Sequence, residues 1–309
     1  MPAAFTTATA VRPSGHEVAG DAPAGASRAW TAELPEDWDV PSGVHGGVLA
    51  ATALRAVGEA LALEPVDLDR PAPVLSLRAA HASFLARPED RRLALTTTVV
   101  RRGGTTGHVD VTARSFGAPV DALAVRALVA RPRGDGDAWL DADPPDVPAP
   151  TELAPGGTDG RELSAWPMTP PPLFGHLDIR PALGDLPWEP GWAPGRPARY
   201  ARWARYREAP TLADGTLDPL CLLPLADLPG PAVWTRFGAD DDLRLLVSLE
   251  MTLDLLEPVR DEWILSDFRA RWLGDGYVVV DADLWSARRL VATLHQTMLV
   301  RRVPSDGPR

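Results

Sequence analysis

The chain has 309 residues, 45% of them hydrophobic and 24% charged, a globular balance with length for two ordinary domains or one large one. A net charge of −11 argues against nucleic acid as the main partner. The absence of lysine excludes Schiff-base chemistry, and a single cysteine, Cys221, excludes an internal disulfide or a multi-cysteine zinc site and suits a reducing cytoplasm.

The N-terminal twenty residues lack the basic start and apolar core of a signal peptide, and no stretch is apolar enough to span a bilayer. Residues 1 to about 27 are rich in Ala, Thr and Gly and are expected to be poorly ordered at their start. Arg28 to Leu34 reads as a first strand. The sequence Val44–Leu63 (VHGGVLAATALRAVGEALAL) then carries a glycine pair followed by small and apolar residues, with only Arg55 and Glu59 charged. A helix apolar nearly all round is a buried helix, here expected over Gly46–Leu63. Strands follow at Pro71–Phe84, Leu93–Arg101, Gly107–Phe116 and Ala122–Ala130, rich in β-branched residues and separated by Gly/Pro turns. A small-residue helix wrapped by a curved antiparallel sheet is the expected unit.

From Arg131 to Pro172, Pro, Gly and Asp dominate, which reads as a linker between domains 1–130 and 173–309. The second half repeats the order of the first. Strands are expected at Leu173–Leu183 and Arg199–Arg207. A helix follows over Leu217–Leu228, with Asp218 as N-cap, Pro219 in its first turn, a kink at Pro224 and an end at Gly230-Pro231. A four-strand meander closes the chain at Leu243–Leu255, Trp263–Leu273, Tyr277–Trp285 and Leu290–Arg301. Pro88 and Pro258, each after an apolar run, stand 170 positions apart, and Pro132 and Pro304 stand 172 apart. Together these landmarks point to duplication of one unit.

Three polar residues fall inside apolar runs of the second half: Asp227 in LPLADLPG, Ser248 in LLVSLEM and Gln296 in VATLHQTMLV. Burying such groups is costly unless they bond one another or a ligand. An offset of 170 maps Ser248 onto Arg78 and Gln296 near Ala124 or Val125, and the first helix has only small apolar residues opposite Asp227. Only the second copy keeps the polar set. Taken singly, Asp227 also fits a cap on the Pro-Gly turn, Ser248 an ordinary strand residue and Gln296 a solvent-facing one.

With these residues in view the chain resembles a double hot-dog acyl-CoA thioesterase of the thioesterase II type, especially the actinobacterial thioesterase-like proteins. The likeness rests on His45-Gly46-Gly47, Phe84-Leu85-Ala86-Arg87-Pro88, the Arg102-Gly103 turn, Leu225-Ala226-Asp227, Ser248-Leu249-Glu250 and Leu290–Gln296. It covers nearly the whole chain apart from the N-terminal tail and the linker. It departs where serine replaces the family's threonine at 248 and where Trp285–Arg289 lacks the usual Asp-Gly turn.

The resemblance implies an α+β fold, a double hot dog of two antiparallel sheets each wrapping a central helix. It implies hydrolysis of an acyl-CoA by water held at Asp227, Ser248 and Gln296. His45, Gly46 and Gly47 would meet the substrate, the helix-end amides serving as oxyanion or phosphate donors. No cofactor is expected, coenzyme A entering only as the thioester substrate. Neither nucleic acid nor a membrane span is expected, and the setting is cytoplasmic fatty-acid metabolism. The monomer is expected to be a complete catalytic unit, with homo-oligomers also found in the family. His45 is read as positioning its loop, and His81 and His108 as strand residues, with no metal-ligand spacing. Arg87, Arg101, Arg102, Arg301 and Arg302 stand at strand ends, where some would meet coenzyme A phosphates. Two other functions stay open: a non-catalytic acyl-thioester binder, and a hot-dog enoyl-thioester hydratase. The hydratase needs an Asp–His pair, and no histidine is expected close to Asp227.

Overall fold

The computed structural model describes residues 2–15, 23–61, 75–133, 137–154, 171–187, 189, 192–193, 195–237 and 243–303. Residues 62–63 of the expected first helix, 71–74 of the next expected strand, 134–136 and 155–170 of the expected linker, and the Pro304 landmark lie outside them.

The chain opens with α1 (Ala4–Ala8), β1 (Val11–Pro13) and β2 (Ser27–Glu33). The expected poor order of the start gives way to a docked segment. Phe5 is fully buried, its ring 5.8 Å from Trp38 and 5.7 Å from Tyr206. Two short strands, β3 (Asp39–Val40) and β4 (Gly43–Val44), lead into α2 (Gly46–Leu61). Alanine and leucine favour the helix, and it contains no proline to interrupt the backbone ladder. Its alanines allow the sheet to approach closely, and its only charged residues are Arg55 and Glu59. β5 (Ser76–Phe84), β6 (Arg92–Arg102), β7 (Thr106–Ser115) and β8 (Leu123–Ala130) curve around it. Their alternate residues, such as Val109, Val111 and Ala113 on β7, pack inward.

The second half runs through β9 (Leu177–Leu183) and β10 (Arg199–Tyr206), then α3 (Leu222–Ala226) and α4 (Gly230–Trp234). It closes with β11 (Leu243–Leu255), β12 (Ile264–Gly274), β13 (Tyr277–Ser286) and β14 (Arg289–Val303). Its centre departs from the expected single helix over Leu217–Leu228. Asp218 does cap the start, accepting from the Leu220 N–H at 3.1 Å, and Pro219 stands first. The first turn is a 3-10 turn over Pro219–Cys221, and only then does α3 begin. Pro224 has no N–H to give to the Leu220 carbonyl, so the α-helical ladder cannot start earlier. Gly230-Pro231, expected to end the helix, starts α4 instead, with Pro231 in its first turn where a missing N–H costs nothing.

The expectation of two sheets is also corrected. Among the described residues β3 and β4 pair with each other, and the other twelve strands form one sheet, in the order β1-β2-β6-β7-β8-β5-β11-β14-β13-β12-β10-β9, in which every pairing is antiparallel. The halves join at β5 and β11, where Ala82 faces Met251 and His81 faces Thr252. Each strand would otherwise be an edge with unpaired backbone groups, and pairing them removes both edges at once.

The two halves repeat the same irregularities. A β-bulge leaves Arg78 unpaired on β5 and another leaves Leu249 unpaired on β11, 171 positions later. Val100 on β6 and Arg271 on β12 are skipped in the same way, again 171 apart. The exact value matters physically, because side chains alternate faces and an offset wrong by one residue would turn the core outward. Thus Ala82 and Leu253, both buried, correspond, whereas an offset of 170 would match Ala82 to the outward Thr252.

Candidate active site

The two central helical segments lie side by side and antiparallel, with Arg55 of α2 paired to Asp218 ahead of α3 and the start of α2 against the end of α3. The start of α2 approaches the end of α3 so closely that side chains there are excluded. A Cβ on Gly47 would lie 2.7 Å from the Leu223 carbonyl oxygen, and one on Gly46 would lie 2.7 Å from Asp227 Oδ2. Asp227 is the C-cap of α3, yet its side chain serves the other helix: Oδ2 accepts from the Gly47 N–H at 2.6 Å. That amide is one of the first-turn donors with no intrahelical partner, and the positive end of α2 favours the carboxylate beside it.

The other carboxylate oxygen, Oδ1, takes two donors from the sheet. Gln296 Nε2 donates at 2.5 Å and Ser248 Oγ at 3.1 Å, while Gln296 Nε2 and Ser248 Oγ are 3.5 Å apart. The three residues singled out in the sequence therefore converge from α3, β11 and β14. Asp227 and Gln296 are buried and Ser248 is half-buried, so none of the three faces open solvent. Ser248 reaches this place through the bulge. Met251 and Leu253 face the core, and strict alternation would send Ser248 outward; skipping Leu249 resets the phase and sets Ser248 opposite the buried Met298.

The counterparts in the first half are apolar. At the offset of 171, Ser248 corresponds to Leu77, not Arg78. Met251 corresponds to Ala80, whose partner on β8 is Ala127, so Gln296 corresponds to Ala127 and not to Ala124 or Val125.

His45 was expected to stand apart from Asp227, and this is overturned. Its Nε2 lies 2.9 Å from the Asp227 main-chain oxygen and 3.7 Å from Oδ2. A carbonyl only accepts, so Nε2 carries the proton and donates. Burial pushes the ring's pKa below 6.5, against the pull of the Asp227 charge, so the ring is neutral at pH 7. Nδ1 is then a bare acceptor, buried without a partner among the described residues, as is Gln296 Oε1. The sequence carries one signal of this contact: a histidine directly before the glycine pair, which occupies the N-cap of α2 with its carbonyl accepting from the Leu49 N–H.

A cavity of about 440 Å³ opens against this group. Asp227, Ser248, His45 and Gly46 line it, whereas Gly47 and Gln296 stand behind. Its walls are largely apolar, with Leu49, Phe84, Phe174, Trp234, Leu246 and Met298. Asp227 is the one acidic residue in the described lining, against Arg87, Arg202 and Arg301. Arg202 is buried, donates to the Leu228 carbonyl at 3.0 Å and faces the Phe268 ring at 5.5 Å. His295 points to the opposite face, where it pairs with Asp281, and His81 pairs with Thr252 and Glu250 on that exposed side. No metal-binding cluster occurs among the described residues.

The acyl-CoA thioesterase N-terminal domain matches residues 34–131 and the acyl-CoA thioesterase C-terminal domain matches residues 141–300. The chain belongs to the acyl-CoA thioesterase family. It is a double hot-dog member of that family and an acyl-CoA thioesterase. Among solved structures, it is similar to a hot-dog-fold protein of Alicyclobacillus acidocaldarius at TM-score 0.74 and 19% identity, over 98% of this chain and 100% of that one. It is also similar to the acyl-CoA thioesterase II TesB2 of Mycobacterium marinum at TM-score 0.67 and 20% identity, over 97% and 99% of the two chains. An uncharacterized protein of Mycobacterium tuberculosis is 27% identical over 342 aligned positions, 99% of this chain and 100% of that protein. No helix among the described residues is long and apolar enough to cross a membrane.

Proposed function

We propose that this thioesterase hydrolyses its acyl-CoA by direct attack of a water activated at Asp227. The observation that carries the reading is the convergence of Asp227, Ser248 and Gln296 on one carboxylate at the edge of an apolar cavity. Asp227 takes a proton from the water as its oxygen bonds to the thioester carbon. Ser248, on the cavity side, holds the water and the carboxylate together; Gln296, behind, fixes the carboxylate. The tetrahedral oxyanion needs a donor, and here the two glycines separate in role. The Gly47 N–H is engaged by Asp227, so the cavity-lining Gly46 N–H is the donor assigned to the oxyanion. Collapse breaks the C–S bond, and the thiolate leaves with the proton returned to it.

The acyl group occupies the apolar walls, and Arg87 and Arg301 at the rim take coenzyme A phosphates. In the same reading residues 1–130 and 173–309 are two hot-dog units fused through β5 and β11, joined by 131–172, and the monomer is complete. No cofactor takes part, and the setting is acyl-thioester metabolism, including that of fatty acids, in the cytoplasm.

The proximity of His45 to Asp227 supplies the pair that the hydratase reading lacked. The His45 proton, however, is committed to a main-chain carbonyl, which favours hydrolysis. Free-thiol release from a panel of acyl-CoAs is expected for the wild type. Asp227→Asn should lose about two to four decades of it while keeping fold and substrate binding. Wild-type turnover in Asp227→Asn would reject the mechanism, and hydration of an enoyl-CoA without thiol release would favour the hydratase.

A further inference from the structure

The end of α3 is held from outside. This helix has five residues, too few for its own hydrogen bonds to fix its last turn. Asp227 has left helical geometry, at φ −92° and ψ 43°, although its N–H still bonds to the Leu223 carbonyl at 2.9 Å. Its carbonyl is one of the end groups that a helix leaves unpaired, and the residue is buried, so it needs a donor. His45 supplies that donor from the first residue before α2. The caps are thus exchanged between the halves: Asp227 caps the start of α2, and the N-cap residue of α2 caps the end of α3.

We infer that His45 is a positioning residue of the hydrolysis, fixing the Asp227 main chain so that its carboxylate stays aimed at the cavity. The inference rests on the role proposed for Asp227. The imidazole acts in this role through its Nε2–H bond to a main-chain carbonyl, a group that does not itself react. Removing the bond frees the peptide after Asp227 to rotate, and a shift of about 1 Å in a reacting group costs on the order of a hundredfold in rate.

The donor, not the imidazole, is then what the enzyme needs. His45→Gln places an amide N–H at about the reach of Nε2. His45→Leu keeps the bulk and removes the donor, and His45→Asn has a donor too short to reach. Steady-state hydrolysis of one good acyl-CoA is measured for each, with folding checked by thermal melting. Leu and Asn are expected to lose about ten- to a hundredfold in kcat, with KM within about threefold, and Gln to recover most of the loss. If the leucine variant does not fold, the Gln and Asn pair decides alone. Full kcat in the variants without a reaching donor, or a Gln variant as slow as Asn, overturns the inference. An active Asp227→Asn would instead overturn the role of the carboxylate, so the two failures are distinct.

Discussion

Ser248 Oγ stands 3.1 Å from Asp227 Oδ1 because the next residue, Leu249, is left out of the strand pairing. The bulge turns the hydroxyl onto the inner face, where it both donates to the carboxylate and meets the cavity. Ser248→Ala removes one of the two sheet donors to Oδ1 and leaves Gln296 in place. Its kcat should fall by about ten- to a hundredfold, less than for Asp227→Asn. Ser248→Thr keeps the hydroxyl and adds a methyl, so its activity should hold or rise. A thiol-release assay on the pair measures the hydroxyl separately from the carboxylate.

The Gly46-Gly47 pair is a requirement of approach between helices. In Gly47→Ala the new methyl would meet the Leu223 carbonyl and Pro224 Cα at 2.7 and 2.9 Å, both rigid main chain. The helices must separate, and stability should drop by about 1–3 kcal/mol in urea denaturation. In Gly46→Ala the methyl meets the Asp227 carboxylate and the Phe84 ring, which are side chains. This variant should lose activity more than stability.

His45 links stability to pH. Its folded pKa lies below 6.5 because burial disfavours the imidazolium. Below that pH the unfolded chain binds the proton more readily than the folded one, so stability is full above about pH 6.5 and declines as pH falls. The slope from this one group is at most about 1.4 kcal/mol per pH unit. Urea midpoints between pH 7 and 5.5 should therefore fall less steeply for His45→Gln than for the wild type, the difference being the contribution of the ring.

Arg87 and Arg301 line the cavity, and the proposed reading has them meet the carrier and not the acyl group. Arg87 lies over Gly43, whose Cβ would come within 2.9 Å of the guanidinium, so the absent side chain makes room for it. The double change Arg87→Ala with Arg301→Ala should raise KM for an acyl-CoA about fivefold or more. It should leave the phosphate-free acyl-N-acetylcysteamine thioester unaffected. Added salt should weaken wild-type binding of the acyl-CoA in the same direction.

Patterning along the chain determined much of this. The apolar run after the glycine pair required a buried helix, and the alternating β-branched runs required two meanders. Both follow from local periodicity, and both stand at the expected places, α2 at Gly46 and β11 to β14 in the second half. The cost of burying polar groups made Asp227, Ser248 and Gln296 visible as a set, since each interrupts an apolar run. The likeness of the two halves was legible in proline landmarks, though their offsets of 170 and 172 bracket the 171 that the bulges define.

Other features depended on contacts between distant segments. A bulge is a relation between two strands, so neither the phase of Ser248 nor the counterparts Leu77 and Ala127 could be read along one of them. The union of two sheets into one came from edges that only the folded halves present to each other. The single second helix expected with a kink at Pro224 gave way to a 3-10 turn and α3, because the effect of that proline on the first turn depended on the Leu220 carbonyl. His45 meets Asp227 across 182 positions. No local pattern encodes that meeting, because it exists only where two helix ends, each with unpaired backbone groups, are brought together.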